Sequence, residues 1–447
     1  MRTVKGAATG RAGPPGARAA LELLASPDAR RDPHSWFERW RRWGPLVSEG
    51  PDVVMLLDHA DCLAALTAPE LTTDQRHCPW LARRADLLFE SWPDAPDSVL
   101  TPPFAFLGHR PPPPERGAVV RGLSGDGPRP EIARIVAVAL DSLGPGPARI
   151  DAVGDLTDRI ARDLACALLG LDPAQAPAVR EGARAVMALF DEVIDPTGPL
   201  RSGPEGTPDP LPPGLTRTVT AFHRLVADAV DGLPATALTR PLRLLRERTG
   251  DRATLVSTAV LTAESAYESL GHFLTNCLYA LLAHPVVAAE LRREPARSGA
   301  VVEEVLRWCP PTHLVVRYAA RRTVLGSGAR QVAVGPGAVV LLNLAAAGRD
   351  PRVFRDPGVF DHRRDGGGGR VGHLGLGHGP HFCPGAGLAR PAAEELLAGF
   401  AARVERPRFL RPDPGLVHRD RVLVHGLTEF PMVFDGVRPA RHPGRGR

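Results

Sequence analysis

One helix-rich domain with small β-sheets is the fold class this sequence predicts, and three observations carry the prediction. Residues 254–284 form a long, mostly apolar stretch that Pro285 closes, because proline lacks the N–H needed to continue a helical ladder. Apolar residues recur at three- and four-residue spacing from Pro130 to Leu169, with Ile132, Ile135, Val136 and Ala139 sharing a face. Further on, the pattern turns to short β-branched runs separated by turn residues: Leu314 to Tyr318, Gln331 to Val334 and Val339 to Leu342.

The remaining elements fall around these. Val53 to Leu57 is a short apolar run that reads as a strand, and Asp58 opens a helix-like stretch to Leu66. Residues 75–114 are rich in Trp, Pro and Arg, end in four consecutive prolines, and read as one long irregular connection. A Pro/Gly-rich break from Pro196 to Gly214 separates two further helices, and residues 301–308 form another that carries Glu304 and Arg307. Glu264, Ser265, Glu268, Ser269 and His272 interrupt the apolar stretch 254–284. Buried without partners, such groups would each cost roughly 2–7 kcal/mol. The helix therefore meets polar partners or lines a polar cavity.

Composition bounds what such a domain does. The chain has 447 residues, 43% of them hydrophobic, which is enough for a large core, yet no stretch approaches the ~18 consecutive apolar residues of a membrane span. The Arg-rich start lacks the apolar centre of a secretory signal. Residues 1–43 read as a partly flexible extension, 44–434 as the folded domain and 435–447 as a basic tail. The net charge of +5 comes from scattered residues, 55 basic against 50 acidic, and aromatics are only 5%, so neither a nucleic-acid nor a membrane partner is expected. Six cysteines, Cys62, Cys78, Cys166, Cys277, Cys309 and Cys383, form no CxxC pair and suit a reducing cytoplasm.

One cysteine stands apart. Residues 373–390 read HLGLGHGPHFCPGAGLAR, placing glycines at 375, 377, 379, 385 and 387 around Cys383 just before a helix start. Glycines allow positive φ and let backbone approach a flat ligand, and a helix N-terminus stabilises a thiolate. A haem thiolate fits this pattern. A structural glycine turn and a zinc site drawing on His373, His378, His381 and Cys383 are the alternatives the loop alone leaves open. A dinucleotide loop would need a glycine where Phe382 stands.

The segment resembles the haem-binding loop of the bacterial cytochrome P450 family, FGxGxHxCxG followed by LAR, with Leu376 at the aromatic position. Further motifs follow in the family's order from Gly44 to Phe434. Glu304-Val305-Leu306-Arg307 matches ExxR, Arg349-Asp350-Pro351 matches an RDP turn, Phe360 to Arg364 resembles FDxxR, and Gly426 to Pro431 resembles the closing hairpin. The resemblance implies a mainly α, single-domain P450-like fold with residues 44–434 as its catalytic domain. It also implies haem b ligated by Cys383 within the loop of Gly377 and Gly385, and a structural ion-pair cluster of Glu304, Arg307 and Arg364.

His381 and Arg317 match positions that hold the haem propionates. Arg116 stands at a further contact normally filled by His, while the usual Arg position is Val120, with Arg121 one residue late. Counting back from His284-Pro285, Glu268 and Ser269 take the acid and alcohol positions of proton delivery, and Ala266 stands at the usual glycine. Glu264, one turn earlier, points toward the substrate, where the family has an apolar residue, and it is expected to meet a basic or hydrogen-bond-donating group. Thr312, His313, Val316 and Thr428 are further pocket residues by resemblance.

The function implied is a haem-thiolate monooxygenase that hydroxylates or epoxidises a small organic molecule in natural-product biosynthesis. Electrons would come from a ferredoxin and its NAD(P)H-dependent reductase. Oxidative coupling or rearrangement on the same haem, and a non-catalytic haem-binding protein, are the two alternatives.

Overall fold

The computed structural model describes residues 15–48, 53–106, 114–193, 208–364, 372–411, 416–419 and 422–439. Helices dominate, and the small sheets gather at one side, as the periodicity predicts. The expected stretch 254–284 is the helix Arg252–Ala283. Asp251 caps it, accepting from the amides of Ala253 at 3.2 Å and Thr254 at 3.0 Å. This helix is buried on nearly every side and packs against the helices Asp158–Leu169, Ala176–Val193 and Ala386–Arg403. An apolar helix of this kind organises a core rather than covering one.

No single helix among the described residues is long and apolar enough to cross a membrane. The pair Arg252–Ala283 and Pro285–Arg293 passes that test only together, with a 100° bend between them.

The main sheet orders its strands Leu46–Ser48, Val53–Leu56, Val339–Asn343, Leu314–Ala319 and Leu71–Thr72. Val53 to Leu56 runs parallel to Val339–Asn343, and the other pairings are antiparallel. A second sheet joins Arg408–Phe409, Pro431–Phe434 and Ala148–Asp151.

Three expectations change. Folded structure precedes Gly44: the helices Ala17–Leu24, Pro27–Arg31 and Pro33–Arg41 bury Leu21, Leu24, Phe37 and Trp40 against the main sheet. Residues 75–114 contain the helix Pro79–Glu90, because Pro79 sits at the first helical position, where its missing N–H costs nothing. The periodic stretch 130–169 divides into the helices Arg129–Asp141 and Asp158–Leu169 with the strand Ala148–Asp151 between them. The Gly-Pro-Gly-Pro run at 144–147 makes that break. Of the basic tail, 440–447 lies outside the described residues, as do residues 196–207 of the Pro/Gly-rich break.

The helix Ser298–Trp308 presents Glu304 and Arg307, 5% and 3% exposed, to the loop that follows the main sheet. Arg307 donates to both carboxylate oxygens of Glu304, at 2.6 and 2.7 Å, and to the carbonyls of Gly348, Pro357 and Val359. The Asp361 amide donates to Glu304 at 2.7 Å, and Arg364 Nε donates to it at 3.2 Å. Every donor of this desolvated pair faces an acceptor, the condition under which a buried ion pair is tolerated. Glu304→Gln leaves Arg307 buried with half its partner, so the chain is expected to lose about 3–5 kcal/mol in equilibrium denaturation. A change within about 0.5 kcal/mol would contradict this reading of the cluster.

Candidate active site

A cavity of about 500 Å³ lies between the long helix, the ExxR helix and the cysteine loop. Its walls are mainly apolar, with Leu261, Phe273, Leu306, Phe106 and Phe190 among them. Cys383 borders the cavity. The loop reaches this position through Gly377 and Gly379, at φ +73° and +70°, a conformation that side chains other than glycine rarely adopt. The Cys383 amide donates to the Leu376 carbonyl at 2.8 Å, closing the loop on itself.

The helix Ala386–Arg403 starts immediately after, so its free amides face the sulfur. Burial pushes the Cys383 thiol upward. The amides of Gly385 and Ala386, with Arg390 and Arg116, act in the opposite direction by favouring the thiolate. Arg390 is itself held by Glu303, at 2.6 and 3.0 Å, and His373 donates to the same carboxylate at 3.0 Å. Burial opposes charge on Glu303, but these two partners bring its pKa down to about 2.

Two arginines reach the cavity without a carboxylate partner among the described residues. Arg317 is 6% exposed, and among the described residues its guanidinium donates to the Val316 carbonyl alone, at 2.8 Å. Burial lowers its pKa to about 10. Arg116 donates to the Phe382 carbonyl beside Cys383, and burial lowers its pKa as well, against the attraction of the cysteine. His381, Gly377 and Gly385 border the same space. Arg121 does not. It is exposed and folds back over Gly117.

On the long helix, Glu264, Ser265, Ala266 and Ser269 line the cavity. Glu264 is 2% exposed. Its Oε2 accepts from Ser265 Oγ at 3.2 Å, while Oε1 has no partner among the described residues. Burial and the nearby charge of Glu268 raise the Glu264 pKa to about 8, so the carboxyl is mainly neutral at pH 7.

Glu268 departs from expectation. It does not line the cavity; Arg419 donates to its Oε2, and His272 Nε2 stands 3.5 Å from the same oxygen. Burial opposes its ionisation, but His272 and Arg419 bring its pKa down to about 2. Arg419 Nη1 also approaches His272 Nε2 at 2.6 Å, so the three side chains form one cluster. The Arg419 backbone is fixed by Gly426, and its carbonyl accepts from Arg30 at 3.1 Å.

Thr312 and Val316 line the cavity, whereas His313 and Thr428 do not. His313 follows Thr312 onto the opposite face of an extended segment and stacks on His425, with ring centroids 4.3 Å apart. Thr428 is exposed and donates to the Val417 carbonyl at 3.1 Å. Sequence reasoning missed Arg419, which reaches Glu268 from 151 positions away with no local signal to announce it. It also missed Asp191, a second carboxylate on the cavity wall, which its helix periodicity could have placed on the inner face.

Comparison with known proteins agrees with this geometry. A family model described as Cytochrome P450 matches residues 299–400. The chain is 29% identical to the 6-deoxyerythronolide B hydroxylase of Saccharopolyspora erythraea over 69% of this chain and 71% of that one. It is 28% identical to the vitamin D(3) 25-hydroxylase of Pseudonocardia autotrophica over 90% of this chain and 94% of that protein. The crystal structure of Mycobacterium smegmatis CYP164A2 in a ligand-free state superposes with a TM-score of 0.73 at 26% identity, covering 93% of this chain and all of the other.

The chain belongs to the cytochrome P450 family, of the bacterial type. Within it, the protein is a monooxygenase-class oxidoreductase that works through a haem-thiolate cofactor. The residues present fit that group: a cysteine at the cavity edge beside a helix start, with the buried Arg317 and the half-buried Arg116 on the cavity, neither with a carboxylate partner among the described residues.

The raised pKa of Glu264 carries a stability consequence. Between about pH 4.5 and 8 the native state holds a proton that the unfolded chain has lost, so Glu264 makes stability fall as pH rises through that window. Glu264→Gln removes the penalty. The melting-temperature gain of the variant over wild type should grow from pH 4.5 to 8 and level off above. A gain independent of pH would contradict the assignment.

Proposed function

We propose that this chain binds haem b through Cys383 and inserts one oxygen atom, by hydroxylation or epoxidation, into a small organic molecule of natural-product biosynthesis. One observation carries the reading: a cysteine loop shares an apolar cavity of about 500 Å³ with two arginines that have no carboxylate partner among the described residues. Bound haem supplies oxygen activation, which a thiolate ligand favours by pushing electron density toward O–O cleavage.

The chain's own residues do the rest. Cys383 is the iron ligand, and the loop glycines Gly377 and Gly385 leave room for a flat group against the backbone. Arg317, Arg116 and His381 hold the two propionates, whose negative charge compensates the desolvation of the guanidiniums. Ser269 presents its hydroxyl to the cavity, where it donates or accepts a proton next to the small Ala266. Glu268 is ionised behind the cavity wall, so it must part from Arg419 and take up a proton from solvent before it passes one to Ser269. The apolar walls keep bulk water from the reaction.

Relatives named as hydroxylases support oxygen insertion. Electrons come from a ferredoxin and an NAD(P)H-dependent ferredoxin reductase in the cytoplasm.

The test is turnover under labelled dioxygen with such a ferredoxin system, using compounds selected by their spectral shift of the haem. One labelled oxygen atom in the product is expected. A product that has only lost hydrogen would replace this reading with oxidative coupling. Haem binding with no substrate-dependent NAD(P)H consumption would leave only a haem-binding protein.

A further inference from the structure

Four imidazoles stack behind the cavity wall and take no part in the chemistry described above. His34 belongs to the helix Pro33–Arg41, His313 to the segment after the ExxR helix, His418 to the strand Val417–His418, and His425 to the chain that leads into the strand Leu427–Glu429. The His313 and His425 rings lie 4.3 Å apart and 8° from parallel. His418 lies 4.7 Å from His425, and His34 lies 6.1 Å from His313.

His313 is buried and the other three are half-buried. Each nevertheless has a ring nitrogen shut off from solvent with no hydrogen-bond partner among the described residues: Nδ1 of His34, His418 and His425, and Nε2 of His313. Only His425 makes a side-chain hydrogen bond among the described residues, with the Arg30 carbonyl at 2.8 Å. Phenyl rings would fill the other three places and leave no nitrogen without a partner. What an imidazole adds there is the capacity to take up a proton.

The stack is tied to the active site through its chain neighbours. His313 follows Thr312 and His425 follows Val424, two residues of the cavity wall that pair in a β-bridge. His418 precedes Arg419, which donates to Glu268. We propose that His34, His313, His418 and His425 form an acid-sensitive clasp between the N-terminal helices and the hairpin that carries Arg419, and that proton uptake by these rings opens the clasp and draws Arg419 away from Glu268. The clasp itself does not depend on haem; its consequence for proton delivery by Glu268 rests on the monooxygenase reading.

Burial holds all four imidazoles below their ordinary value, His418 at about 4. The charged groups facing them among the described residues act in the same direction. These are Arg349, Arg307 and Arg41 on His34, Arg349 on His313, Arg30 and Arg31 on His418, and His272 on His425. The Arg30 carbonyl opposes them at His425, while Asp32 and Glu38, on the helix of His34, act on Arg349. A ring held low in the closed clasp and released to its ordinary value in the open one contributes stability that is complete above about pH 6.5 and is lost as pH falls below it. Between pH 7.5 and 5, each such ring multiplies the opening constant by up to about thirtyfold. Neighbouring rings that both carry charge also repel each other.

Hydrogen exchange of the full-length holoenzyme from pH 7.5 to 5, corrected for the intrinsic pH dependence of amide exchange, tests this. Peptides covering residues 27–41 and 422–429 should open increasingly as pH falls, among them the His425 amide that now donates to the Pro311 carbonyl at 2.8 Å. Peptides from the helix Arg252–Ala283 should keep their protection. In His313→Phe the rise at pH 5 should be smaller by up to about thirtyfold, with little change at pH 7.5. His418→Phe, at a half-buried ring, should act in the same direction and decides the matter if His313→Phe does not fold.

An exchange pattern that does not change with pH overturns the proposal, as does a variant whose rise is as steep as that of the wild type. Opening that reaches the long helix at the same pH also overturns it, because that is global acid unfolding. A thiolate-type Soret band recorded on the same samples at pH 7.5 tests the haem-thiolate reading separately.

Discussion

Glu304 and Arg307 lie side by side in a region almost free of water, and burying two charges is favourable only when each finds all its partners. Their partners are backbone groups of Gly348, Pro357, Val359 and Asp361, which belong to the connection between the main sheet and the cysteine loop. Satisfying the pair therefore fixes a segment that has little secondary structure of its own. The loop carrying Cys383 packs on the same helix, where Gly375 lies so near the Leu306 carbonyl that a Cβ there would collide with its oxygen. Without this anchor the cysteine would have no defined position relative to the long helix, and the cavity would have no floor.

Across the cavity from that anchor, the long helix presents two acids one turn apart in opposite electrostatic states. Glu268 has a guanidinium and an imidazole beside it and stays ionised behind the wall; Glu264 has neither and keeps its proton inside the cavity. The ionised acid raises the neutral one's pKa further, so the two are linked along one face of a single helix. Arg419 is the partner that makes the difference. It is held by Gly426 and by Arg30, so the N-terminal helices and the closing hairpin both bear on the active site.

Local signals make much of this legible in the amino-acid sequence. The long helix ends where Pro285 requires, the ExxR pair is spaced three residues apart, and Gly377 and Gly379 before Cys383 take the positive φ that their residue type permits. What stays hidden depends on chain distance. Ala148–Asp151 pairs with Pro431–Phe434, and nothing within residues 130–169 announces that partner. The role of Arg419 is invisible without the fold, as is the turning of Glu268 away from the cavity. The helices before Gly44 are obscured by an Ala- and Arg-rich composition that resembles a tail, although Leu21, Phe37 and Trp40 complete the second hydrophobic cluster.

The claim on which the rest stands is that Cys383 binds haem iron as a thiolate. The reduced carbon-monoxide difference spectrum of the purified protein, measured beside Cys383→Ser, tests it most directly. A Soret band of the thiolate type in the wild type, absent from the variant, is the predicted result. A wild-type spectrum without that band, or one that Cys383→Ser leaves unchanged, would contradict the account.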